Sequence, residues 1–172
     1  MAVDQFWDFI AASQPVDGLQ PERLLGLLRP LPCEEKQAFS LTFRQFSQDA
    51  YRWDVWSAAY LYAGGCGDDS FMDFRSGLIS QGREVYETIL NNPDQLATAV
   101  QLLPEDVDLF FEDFGYIHSQ ALKEDHCPPS GIRTEANTHP LSANLEGNDW
   151  DFDDEQEMQR RCPRLWAMYG DV

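Results

Sequence analysis

The chain has 172 residues, with 30 acids against 12 bases and a formal net charge of −18. Hydrophobic residues make up 43% and aromatics 13%, enough for a packed core, which excludes global disorder. So acidic a chain is a poor match for a phosphate backbone or an anionic lipid surface, so neither nucleic acid nor membrane is expected as a partner. The same charge suits a basic protein partner or a cationic small molecule, and it also favours solubility.

No apolar run reaches the length of about 18 residues that a membrane span needs. The N-terminal stretch carries Asp4 and Asp8 and lacks the basic start of a signal peptide. Cys33, Cys66, Cys127 and Cys162 form no Cys-x-x-Cys pair. Together these features predict a cytoplasmic protein with reduced thiols.

Taken in chain order, Val3, Phe6, Trp7 and Ile10 have helical spacing and predict a helix over 2–13, closed by Pro15 and Gly18. Pro21 opens a short second helix with Leu24, Leu25 and Leu28 inward, and Pro30 and Pro32 stop it. Residues 33–62 form one long helix or two joined near Asp49–Trp53. Phe39, Phe43 and Phe46 make a stripe in the first part. From Trp53 to Tyr62 the pattern is apolar nearly all round, the mark of a buried central helix.

Gly64, Gly65 and Gly67 end that helix. Asp68, Asp69 and Ser70 start the next, with Ser70 and Asp73 as an approximate capping box and Phe71, Phe74 and Leu78 on one face. Gly82 separates it from a helix over 83–91. Pro93 opens a short helix through Val100. Pro104 opens another carrying Val107, Phe110, Phe111, Phe114 and Ile117.

Between Asp125 and Asn148 the periodicity is lost, and residues 146–157 then hold seven acids and no base. Met158, Leu165, Trp166 and Met168 predict a closing helical piece interrupted by Pro163. No alternating strand pattern of useful length is present. The class is therefore all-α, a single-domain bundle of about six to eight helices with one long irregular loop. Residues 1–124 form the helical core, 125–153 an irregular acidic arm, and 154–172 a C-terminal helical segment packing on the core.

The central block is the most distinctive. It runs Tyr51-Arg52-Trp53-Asp54-Val55-Trp56, Ala58-Ala59-Tyr60-Leu61, Gly64-Gly65-Cys66, Asp68-Asp69-Ser70-Phe71, Phe74-Arg75, Leu78-Ile79 and Gly82-Arg83-Glu84-Val85-Tyr86-Glu87. This block resembles a bacterial domain-of-unknown-function family, number 4240. Phe6-Trp7 resembles its opening and Pro163-Arg164-Leu165-Trp166 its closing motif. The resemblance implies a helical fold and no particular activity. The sequence departs from the family pattern at Gly67, where members carry serine, and at Ser76-Gly77, where members carry Gly-Trp. The second departure removes a large indole and any packing built on it.

Three groups of residues are candidates for a binding site. Asp68 and Asp69 could orient a cation or an amine, or serve only as complements to a helix dipole. Trp53, Trp56 and Tyr60 share a helix face and could wall a pocket by stacking or cation–π contact, or pack as core. Arg75 and Arg83 could clamp an anion, although an internal ion pair is the preferred reading for both.

His118, His126, Cys127 and His139 match no closed zinc spacing. Asp149, Asp151 and Asp153 fail as a calcium loop, because Asp154 stands where glycine is needed and Arg160 where glutamate is. Phosphate-loop, nucleophile-elbow, zinc-protease and dinucleotide signatures are all missing from the sequence. No cofactor is expected.

Two functions fit. The preferred one is a non-enzymatic acidic interaction or regulatory protein engaging a basic partner. The alternative is a small-molecule-binding domain or enzyme with a pocket between the helix at 53–63 and the helix starting at Asp68.

Overall fold

The computed structural model describes residues 1–14, 20–103, 107, 109–128 and 145–170. The chain begins with α1 (Val3–Ser13), α2 (Gln20–Leu28), α3 (Cys33–Asp49), α4 (Trp53–Ala63), α5 (Asp68–Ser80) and α6 (Arg83–Asn91). A 3-10 turn at Pro93–Gln95 leads into α7 (Leu96–Leu102), followed by α8 (Glu112–Glu124), α9 (Glu155–Arg161) and α10 (Pro163–Tyr169). The all-α class is as expected. The described residues hold ten α-helices, somewhat more than the six to eight expected, and Pro163 divides the C-terminal piece into α9 and α10 as its position predicts. Among the described residues there is no strand, only an isolated bridge between Arg52 and Glu146.

The breaks between helices follow backbone chemistry. Ala50–Arg52 separates α3 from α4. Gly64, at φ 66°, ends α4 in the left-handed conformation that glycine tolerates best. Gly67 is the N-cap of α5, so Asp68 and Asp69 are its first two helical residues and neither side chain caps it. Ser70 therefore lies inside the helix, and the expected capping box does not form. The expected helix start at Pro104 lies outside the described residues. Phe111, not a proline, is the N-cap of α8.

All ten helices contribute to the core, and α1, α3, α5 and α8 supply its buried phenylalanines. Phe6 packs against Phe39 and Phe46 with ring centroids 4.9 and 5.1 Å apart, and Phe43 meets Phe114 at 6.1 Å. The central helix is α5, where every residue from Phe74 to Ser80 is buried. Its contact with the segment leading into α8 depends on small residues. A β-carbon at Gly77 would overlap the Leu109 carbonyl, and one at Gly115 would stand 2.7 Å from Ser76 Oγ. Position 77 therefore has no room for any side chain larger than hydrogen without a shift of the Leu109 backbone.

The α4 helix is less central than its composition predicts. Val55, Ser57, Ala58, Ala59 and Leu61 are buried, whereas Trp53, Trp56, Tyr60 and Tyr62 are only half-buried. Small side chains let α4 approach the core closely, while Trp53, Trp56 and Tyr60 meet Phe152 of the C-terminal segment and Tyr62 meets Phe110 and Tyr169. That segment crosses the start of α4, where Trp53 N–H donates to the Glu146 carbonyl at 3.1 Å and Glu146 N–H donates to the Tyr51 carbonyl at 3.3 Å. The α10 helix then packs on α4, α7 and the 3-10 turn.

The expectation of reduced thiols fails for two of the four cysteines. Cys33, at the start of α3, is disulfide-bonded to Cys127, just past α8, with Cα atoms 5.4 Å apart. Packing of α3 against α8 brings these ends together across 94 residues of sequence. Beside the bridge, the ammonium of buried Lys36 donates to the Arg29 carbonyl at 2.9 Å and pairs with Asp125. Cys66 and Cys162 are free and buried. Burial pushes both thiols up to about 11.

Candidate functional site

A cavity of about 430 Å³ lies where the C-terminal segment meets the start of α4. It is lined by Arg52, Trp53, Asp54, Glu146, Gly147, Asn148, Trp150 and Arg161. Its size falls in the range of small-ligand pockets, about 300–1,000 Å³.

Its floor is electrically neutral. Arg52 precedes α4 in an extended conformation, and its guanidinium pairs side-on with Asp54. Its remaining arm donates to the Leu90 carbonyl at 2.9 Å. Asp54 also accepts Val55 N–H at 2.9 Å, as suits a carboxylate in a first helical turn.

Trp53 supplies one wall. Its ring lies over Trp56, with centroids 5.8 Å and planes 16° apart, and Phe152 meets it edge-on at 5.6 Å. Trp150 supplies the other, with its indole N–H on the Met158 sulfur at 3.2 Å. The Arg161 guanidinium lies 3.9 Å from the Trp150 centroid, a close cation–π contact. Arg161 Nε also donates to Glu157 at 2.5 Å. Arg160 and Arg161 together hold the Glu157 carboxyl down to about 2. Gly147, also in the lining, has φ 96°, a backbone conformation that favours glycine.

Of the residues expected to form a site, Trp53 alone lines this cavity. Trp56 stacks on Phe71 with centroids 4.9 Å and planes 8° apart, and its indole N–H donates to the Cys66 carbonyl at 2.8 Å. Between α4 and α5 that stack fills the space proposed for the alternative pocket. Tyr60 sits under Phe152 and donates its hydroxyl to Asp153 at 2.7 Å, a contact that raises the phenol above its usual range. Asp68 and Asp69 are exposed on the first turn of α5.

The expected ion pair forms within the chain for Arg83, at the surface, and not for Arg75. Arg75 is buried, but its guanidinium donates to the Ser47 carbonyl at 2.8 Å and lies 4.7 Å from the Tyr51 ring centroid. No carboxylate pairs with it among the described residues, and burial lowers it to about 10. Arg83 is half-exposed and pairs with Asp4 and Glu87 at the surface.

Sequence reasoning missed Arg52, Glu146, Trp150 and Arg161 as site residues. Nothing local marks them, since the site joins positions roughly a hundred apart. The acidic run over 146–157 was the one available signal.

Elsewhere, Ser40 Oγ and His118 Nδ1 lie 2.9 Å apart, but both are buried, so the pair is a packing contact rather than an accessible nucleophile and base. Among the described residues no group of three or more His, Cys, Asp or Glu side chains is arranged to hold a metal. The cavity can stack, hydrogen-bond and neutralise charge.

The family described as protein of unknown function, DUF4240, matches residues 1–124. The chain belongs to that family. The matched span covers α1 to α8 and supplies Arg52, Trp53 and Asp54 to the cavity, while Glu146, Trp150 and Arg161 lie beyond it. The Pro163–Trp166 stretch also falls outside the match. No curated protein and no solved structure matches the chain.

Proposed function

We propose that this protein is a non-catalytic interaction module that engages a basic protein partner through its acidic surface. Its support is the way positive charge is spent within the chain. Arg29, Lys36, Arg52, Arg83, Arg160 and Arg161 all pair with acids of the same chain, and Arg75 is buried. Asp68, Asp69, Glu84, Glu112, Asp113, Asp149 and Glu155 are exposed, and none has an ion-pair partner among the described residues. The outward field is therefore anionic, which would speed encounter with a basic partner and select against acidic ones. Among the described residues no helix is long and apolar enough to cross a membrane.

The test is capture of partners by the full chain, followed by titration of the captured protein at rising salt. A basic partner whose affinity falls steeply with salt supports the reading. A neutral or acidic partner, or binding indifferent to salt, rejects it.

A further inference from the structure

We propose that the cavity between α4 and the C-terminal segment binds a small zwitterion of the α-amino acid class. Two opposite charges line this cavity without pairing with each other. Glu146 and Arg161 both border this space, and no ion pair joins them among the described residues. The Glu146 carboxylate has no side-chain partner among the described residues. Arg161 is held by Nε on Glu157 and by its face on Trp150, and its two terminal nitrogens have no partner there either.

Arg52 and Asp54, which also line the cavity, neutralise each other, so this pair selects no charge. A ligand that satisfies both open groups must carry a cation and an anion together. A ligand ammonium would donate to the Glu146 carboxylate, and a ligand carboxylate would accept from the terminal nitrogens of Arg161. Net neutrality matters for a second reason. At a chain charge of −18 a simple anion is repelled at long range, whereas a zwitterion is not. The Trp53 wall suits an apolar or aromatic side chain on that ligand. This inference is independent of the basic partner proposed above, and either can fail alone.

The test is tryptophan fluorescence and calorimetry on the full chain with three probes: L-phenylalanine, 3-phenylpropionate and phenethylamine. The first carries both charges and the others carry one each. L-phenylalanine is expected to bind about tenfold or more tighter than either half. Arg161→Gln should weaken L-phenylalanine and 3-phenylpropionate and leave phenethylamine unchanged. Glu146→Gln, at an exposed side chain with no side-chain partner among the described residues, should weaken L-phenylalanine and phenethylamine and leave 3-phenylpropionate unchanged. Equal affinity for all three probes, no heat or fluorescence change with L-phenylalanine, or binding untouched by either substitution overturns the proposal.

Discussion

The Asp94 carboxylate accepts the backbone N–H groups of both Arg164 and Leu165 at 3.0 Å, and so closes the first turn of α10 from 70 residues upstream. Asp94 is itself buried in the 3-10 turn, with Asp94 N–H on the Asn92 side chain at 3.2 Å. Buried amides at a helix start need acceptors, and this one carboxylate ties the C-terminal helix to the family core. Asp94→Ala should cost about 1–2 kcal/mol and release α10 from its seat. Urea unfolding gives the first quantity, and hydrogen exchange of the α10 amides gives the second. Unchanged protection of those amides would show that apolar packing alone holds the helix.

Gly77 faces the Leu109 backbone with no room for a β-carbon. Gly77→Ala should lower stability by about 1–3 kcal/mol, the usual penalty for overpacking a tight contact. Gly26 provides the control, since a β-carbon there meets nothing within 4 Å. Gly26→Ala should be neutral or mildly stabilising, because alanine is the better helix former. Thermal melts of the two variants side by side decide the matter.

Burial lowers His118 to about 3, with nearby Arg44 adding to the effect. The folded protein therefore keeps the imidazole neutral where the unfolded chain, with an ordinary value near 6.5, takes up a proton. Stability is fully present above pH 6.5 and is lost as pH falls towards 3. Between pH 7 and pH 5 the loss should be about 2 kcal/mol. Glu124 and Glu157, held down to about 2 by arginine partners, lose their contribution only at lower pH, so this window isolates the histidine. His118→Gln should flatten the dependence in urea titrations at pH 7 and 5. An equally steep fall in the variant would assign the effect elsewhere.

The Cys33–Cys127 bridge closes a long loop and restricts the unfolded chain. Replacing both cysteines by serine should lower stability by about 2–4 kcal/mol. A reductant should lower the wild-type melting temperature to about that of the double variant and leave the double variant unmoved. Cys66 and Cys162 should resist a thiol reagent until the protein unfolds, since both are buried and their thiolates are disfavoured. A matching melting temperature for oxidised and reduced wild type would contradict the bridge.

Much of the fold was legible because it is written locally. Phe39, Phe43 and Phe46 repeat at helical spacing, and Gly64, Gly82 and Pro163 mark real boundaries. The α4 sequence misled because periodicity cannot distinguish a helix buried all round from one whose rings are roofed by a distant segment. Trp56 and Tyr60 are apolar enough for either arrangement, and only the position of Phe152 decides. The disulfide and the Glu146–Arg161 cavity were illegible for the same reason, since each depends on which remote surfaces meet. Arg75 shows a different limit. Its partners are backbone carbonyls and aromatic faces, and the sequence offers no sign of which side-chain or backbone groups will surround it.

The placement of Trp150 and Phe152 over α4 has a consequence for any shortened form of this chain. A fragment stopped at Glu124 would keep the buried faces of α1, α3, α5 and α8 but strip the roof from Trp53, Trp56 and Tyr60. Three neighbouring rings would then meet water as one oily strip, and such fragments would cling to one another or demand a substitute cover.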